Sequence, residues 1–249
     1  MALVASYWPG PHDTVAFVVC HGFTGSAEVS HVRAICTQLA AAGPSGSAVL
    51  AADFRGHGRS GGRTTAGAEE IHDVAAAVAW LRADGYRTIA TLGWSMGGSA
   101  VLRHAGLGGD ADAVVSISSP GAWFERGTRA MRIVHWMCET RTGRVLTRAA
   151  RGTRIAPNSW DELVPEAPAE VVARIAPTPL LIVHGDNDHY FPTRHLHLLA
   201  DAAPSAEVWL EAGMGHAETA TTPELLDRVI AWVRAVVPAP AVWDDGRRD

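Results

Sequence analysis

The stretch Thr88-Ile89-Ala90-Thr91-Leu92-Gly93-Trp94-Ser95-Met96-Gly97 decides how this chain is read. Its first five residues form a short apolar, β-prone run. The segment after it, Gly98-Ser99-Ala100-Val101-Leu102-Arg103-His104, reads as a helix. The pattern G-x-S-x-G therefore lies where a strand turns abruptly into a helix, the context that separates it from a chance match. A turn this tight strains its central residue, and Cβ atoms on either side would collide with the neighbouring strand and helix. The Ser95 hydroxyl is then held clear of the backbone at a helix N-terminus, whose amides and dipole favour developing negative charge. Ser95 is the candidate nucleophile.

Serine has a high pKa, so it needs an adjacent base, and that base needs a third group to orient it. Among twelve histidines the best placed is His216, in Glu211-Ala212-Gly213-Met214-Gly215-His216. It follows the strand-like 206–210 run on a glycine-rich loop. The best acid is Asp188, in Gly185-Asp186-Asn187-Asp188, which follows the apolar run Leu180-Leu181-Ile182-Val183. A fourth element, His21-Gly22-Phe23-Thr24-Gly25, follows the apolar run 15–19. Its glycines let the backbone approach a substrate, so the N–H groups of Phe23 and Met96 are the candidate oxyanion hole. Losing one such donor typically costs about 3–4 kcal/mol of transition-state stabilisation.

These residues resemble the α/β-hydrolase superfamily, in the branch of small serine esterases, lipases and thioesterases. The matching segments are His21-Gly22-Phe23, Asp53-Phe54-Arg55-Gly56-His57-Gly58-Arg59-Ser60, the Ser95 elbow, Gly185-Asp186-Asn187-Asp188 and Gly215-His216. They span nearly the whole chain, in the family order Ser, Asp, His. The resemblance implies a Ser95–Asp188–His216 triad with Phe23 and Met96 as oxyanion donors, and it places the acid at Asp188, leaving Asp186 to cap its loop. Relatives with an aspartate nucleophile fit poorly, because Ser95 occupies that position. The expected chemistry is hydrolysis of carboxylic esters of small or medium acyl groups through an acyl-enzyme, with no cofactor and no metal. The alternative is a thioesterase acting on acyl chains bound to coenzyme A or a carrier protein. A non-catalytic small-molecule receptor on the same fold is the reading from a different class.

Apolar runs alternate with helical patterns, which predicts a mostly parallel central sheet flanked by helices. Strands are expected over 15–20, 48–52, 88–92, 113–118, 180–184 and 206–211, with an edge strand within 2–8. Helices are expected over 31–42, 68–83, 96–105, 192–202 and 223–237. Residues 1–118 and 178–237 are read as the core. Residues 119–177 are too long for a simple connection, and they lie where the superfamily inserts a helical cap, before the acid-bearing strand. Pro238-Ala239-Pro240 ends the last helix and opens a polar tail over 238–249.

Within the expected cap, Ala130, Ile133, Val134 and Met137 share one helical face, and Arg141, Arg144, Arg148 and Arg151 share a face of the next helix. The arginines are either a solvated face or a collar for an anionic partner such as an acyl-carrier protein. Trp123, Phe124 and Trp136 either line a substrate cavity or fasten the cap to the core. Trp94 either narrows the acyl pocket or fills space beneath the elbow. His21 and His57 read as braces of the oxyanion loop. His189, His195 and His197 lack the spacing and companions of a metal site.

The chain has 249 residues, enough for one open α/β domain with a sizeable core. Its 21 basic residues are all arginine, and the formal charge of −5 gives no reason to expect nucleic acid. Cys20, Cys36 and Cys138 are odd in number and unpaired in spacing, as reduced thiols would be. The start of the chain lacks the pattern of a signal peptide, and no apolar run is long enough for membrane insertion. A cytoplasmic location with a small ester or thioester substrate is the resulting expectation.

Overall fold

The computed structural model describes residues 1–157 and 164–237, so the expected tail over 238–249 lies outside the described residues. Seven strands form one sheet: β1 (Ala5–Trp8), β2 (Ala16–Cys20), β3 (Ala48–Ala52), β4 (Ile89–Trp94), β5 (Ala113–Ile117), β6 (Leu180–Gly185) and β7 (Glu207–Glu211). Their order is β1-β3-β2-β4-β5-β6-β7, parallel throughout except for β1, which pairs antiparallel with β3 at the edge. The central strands β2, β4, β5 and β6 are buried along their whole length, which is why they read as unbroken apolar runs. The edge strands β1 and β7 are partly exposed and carry polar residues.

Alternation along each strand divides the core into two layers. Phe17, Val19, Leu92, Trp94, Val115 and Val183 face α1 (Ser30–Ala40) and α8 (Pro223–Val236). Ala16, Val18, Ile89, Val114 and Ile182 face α2 (Ile71–Asp84), α3 (Met96–Gly106) and α7 (Arg194–Ala202). Each fully buried Leu, Val or Ile contributes about 1.5–3 kcal/mol. Helix α2 begins at Ile71, later than the expected 68. The Glu70 carboxylate there accepts hydrogen bonds from the amides of Thr65 and Gly67, and those bonds hold the preceding residues in a loop.

The topology itself places the site. From β2 the chain steps outward to β3, then crosses back to lay β4 on the other side of β2. Ligands of open α/β sheets bind at such a switch point, beyond the carboxyl ends of the strands. Cys20 pairs with Gly93, so the loop after β2 and the turn after β4 emerge side by side.

Between β5 and β6 the chain forms α4 (Arg129–Glu139), α5 (Arg141–Arg151) and the short α6 (Pro168–Val171). Thr128 caps α4 by accepting from the Met131 amide, and Thr140 caps α5 by accepting from Gly143. Arg144 does not join a free arginine face: its guanidinium donates to the Cys138 and Glu139 carbonyls at the end of α4. Backbone hydrogen bonds of Arg154 with Gly56 and Thr64 tie the segment after α5 to the loop after β3.

Candidate active site

Ser95 follows β4 with φ 52° and ψ −115°, a positive-φ conformation that non-glycine residues seldom adopt. The flanking glycines make the turn feasible. A Cβ on Gly93 would stand 2.3 Å from the Gly97 carbonyl oxygen, and one on Gly97 only 2.1 Å from that of Cys20. Both distances are far inside van der Waals contact, so the sequence pattern is a steric requirement.

His216 lies on the loop after β7 and Asp188 on the loop after β6. His216 Nε2 is 3.0 Å from Ser95 Oγ, and His216 Nδ1 is 2.8 Å from Asp188 Oδ2. Asp188 Oδ1 accepts the Tyr190 and Phe191 amides at 2.8 and 3.0 Å, which leaves Oδ2 to His216. Burial opposes ionisation of Asp188, but the His216 hydrogen bond and charge and the two amides outweigh it, holding the carboxyl below its ordinary range. In this arrangement Nδ1 carries the proton and donates to the carboxylate, while Nε2 accepts from the Ser95 hydroxyl. Tyr190 stacks on the His216 ring with centroids 4.2 Å apart, and Phe191 meets it edge-on at 5.6 Å.

The loop after β2 brings Phe23 alongside Ser95. Met96 opens α3, where its amide has no intrahelical acceptor. Neither the Phe23 nor the Met96 amide donates to a protein acceptor among the described residues. His21 Nε2 accepts the Phe54 amide and its Nδ1 donates to the Gly22 carbonyl. His57 Nε2 accepts the Thr24 amide and its Nδ1 donates to the Arg55 carbonyl. Burial lowers the pKa of both rings, that of His57 to about 3, so each is a neutral brace of the loop.

Above Ser95 opens a cavity of about 540 Å³. Ala130, Ile133, Val134 and Met137, expected to share one face of a helix, all line it. Trp123 and Trp136 line it as well, Trp123 with its indole N–H donating to the Pro165 carbonyl. Trp94 does not. It is 0% exposed, on the α1 and α8 side of the sheet, and its indole N–H donates to Thr221 Oγ1 at 2.9 Å. Strand alternation at the end of β4 turns it away from the cavity, so of its two readings the one beneath the elbow holds, and its place as a pocket residue is withdrawn. Asp186 stands outside the relay, accepting the Gly213 amide. Of the histidines weighed as metal ligands, His195 is paired with Glu125 and His189 packs on Tyr190.

Residues 15–146, more than half of the chain, match the family described as α/β hydrolase fold. The chain belongs to the α/β hydrolase fold family. An esterase of Pyrococcus furiosus is similar to this α/β hydrolase with a TM-score of 0.67 and 23% identity, over 90% of this chain and 83% of that one. The α/β hydrolase GrgF of Penicillium sp. sh18 has a TM-score of 0.74 at 16% identity, over 95% and 99%. A monoacylglycerol lipase of Paleococcus ferrophilus has a TM-score of 0.65 at 16% identity, over 94% and 99%. At these identities the likeness is one of fold, and fold does not carry substrate. No curated protein matches the sequence.

Several residues of this α/β hydrolase's site carry no signal in the sequence pattern. Glu125 pairs with His195 across 70 positions, and Tyr190 reaches His216 only through the fold. Glu218 lies two residues past His216 in the same loop, yet nothing in the sequence marks it as buried. Among the described residues no helix is long and apolar enough to cross a membrane.

Proposed function

We propose that this protein is a serine esterase that cleaves carboxylic esters of small or medium acyl groups. The observation that carries the proposal is the hydrogen-bonded series Ser95–His216–Asp188 at the floor of a mostly apolar cavity open to solvent on one side. His216 Nε2 takes the Ser95 proton as Oγ attacks the carbonyl carbon. The Phe23 and Met96 amides hold the oxyanion, and Asp188 stabilises the imidazolium. His216 then protonates the departing alcohol, leaving an acyl-enzyme. Water, deprotonated by the same ring, attacks the acyl carbon and releases the acid. Helices α4 and α5 act as a cap whose Ile133, Val134, Trp136 and Met137 form the apolar wall. A cavity of about 540 Å³ suits ligands of modest size.

Ser95→Ala tests this: ester turnover should fall roughly 10⁴-fold or more, with the fold unchanged by circular dichroism. Turnover retained within tenfold would remove Ser95 from the mechanism.

A second reading, hydrolysis of acyl thioesters of coenzyme A or a carrier protein, rests on the exposed Arg129, Arg132, Arg141, Arg148 and Arg151 of the cap. It expects kcat/KM for an acyl-CoA to fall steeply between 50 and 500 mM salt (a range of about that span covers most of the screening), with neutral esters unaffected.

A further inference from the structure

Glu218 is a carboxylate at the floor of the cavity with no counter-charge among the described residues. It is 8% exposed and lines the cavity beside Ser95. Its Oε1 accepts the Gly22 amide at 2.5 Å. Its Oε2 has no hydrogen-bond partner, and the residue forms no ion pair, among the described residues. A methyl group placed on Gly22 would stand 3.3 Å from Glu218 Oε2 and 3.4 Å from Ser95 Cβ. Little more than a methyl's width thus separates the unmatched oxygen from the serine side chain.

The contrast with Glu125, the other carboxylate on the wall, is instructive. Glu125 accepts from His195, Arg194 and the Gly127 amide, so its oxygens are engaged by the protein. The free oxygen of Glu218 is reachable from the cavity, so a substrate that brings a donor can form a charge-assisted hydrogen bond there, and such bonds are about twice as strong as neutral ones.

Resting on the ester-hydrolase reading above, we infer that Glu218 is a specificity-determining residue. It selects esters that carry a hydrogen-bond donor, a hydroxyl or an ammonium, a few bonds from the scissile carbonyl. A site built around such a contact discriminates against analogues that lack the donor. The same carboxylate holds Gly22, so recognition and the placement of the oxyanion loop share one side chain.

The test is a substrate series on the wild-type protein: p-nitrophenyl esters of butyrate, 3-hydroxybutyrate, 3-methoxybutyrate and 3-aminobutyrate. A parallel set of butyrate esters of ethanol, ethylene glycol, its monomethyl ether and ethanolamine covers the alcohol side. A hydroxyl or ammonium member of one set should exceed its plain and methoxy counterparts in kcat/KM by roughly tenfold or more. Glu218→Gln keeps the Gly22 acceptor and Glu218→Met removes both oxygens. An ammonium preference should fall toward one in both variants, and a hydroxyl preference should fall toward one in the Met variant. Taking ratios cancels any general loss of activity from the moved oxyanion loop. Equal rates across both sets for the wild type, or a preference that survives both substitutions, overturns the assignment of Glu218 and leaves the esterase reading standing. No turnover of any ester overturns the esterase reading beneath it.

Discussion

Ser95 is held at φ 52° because Gly93 and Gly97 leave room for the backbone to fold back on itself. Gly97→Ala would drive a methyl into the Cys20 carbonyl on the adjacent strand. We expect it to cost roughly 2–3 kcal/mol in a denaturant melt and to lower kcat far more than KM, because the Met96 amide, proposed as an oxyanion donor, moves with the turn. Asp188→Asn keeps the side-chain shape but presents an amide where His216 needs an acceptor. Turnover should drop about 10⁴-fold with little change in KM, measured on p-nitrophenyl butyrate. The tryptophans separate cleanly. Trp136 is 42% exposed on the cavity wall, so Trp136→Ala should shift acyl-chain preference towards longer chains. Trp94→Phe forfeits the Thr221 hydrogen bond and leaves a void beneath the elbow. It should cost roughly 2–3 kcal/mol of stability and leave the chain-length profile unchanged.

At the scale of elements, the loops after β2 and β3 are fastened to each other by His21 and His57 in their neutral forms. Burial, with His21 beside it, pushes the His57 ring down to about 3. At pH 5 the unfolded chain therefore binds a proton at this position that the folded chain excludes, so acid favours unfolding. The contribution is absent above the ordinary histidine range, and stability falls steadily from there down to about pH 3. Between about pH 5.5 and 4, His57→Gln should show a stability slope shallower than the wild type by roughly 1.4 kcal/mol per pH unit. Equal slopes in denaturant melts would show that the ring is protonated in the folded protein. Both α4 and α5 divide between wall and surface: Ile133 and Met137 of α4 and Leu146 and Ala150 of α5 line the cavity, while Arg141 and Arg148 are exposed.

At the scale of the molecule, the parallel sheet was legible because its central strands are buried on both faces and so read as apolar runs. The Ser95 turn was legible because its geometry admits little besides glycine on either side. Trp94 was not, since a residue at a strand end can point to either layer and only the sheet fixes which. Glu218 was hidden for a related reason: its burial arises from the approach of Gly22, 196 positions away. Helix α2 starts later than its pattern suggests because the Glu70 carboxylate competes for amides that a helix would otherwise use. Local pattern thus reports the elements, and long-range contacts decide which side chains reach the switch point between β2 and β4.

The proposed mechanism requires Ser95 to become covalently acylated, and labelling with a fluorophosphonate followed by peptide mass spectrometry reads its nucleophilicity. One adduct is expected, on the peptide carrying Ser95, formed in proportion to the loss of esterase activity and absent from Ser95→Ala. An adduct on a different residue, or full esterase activity in protein whose Ser95 is unmodified after complete reaction with the label, would contradict it.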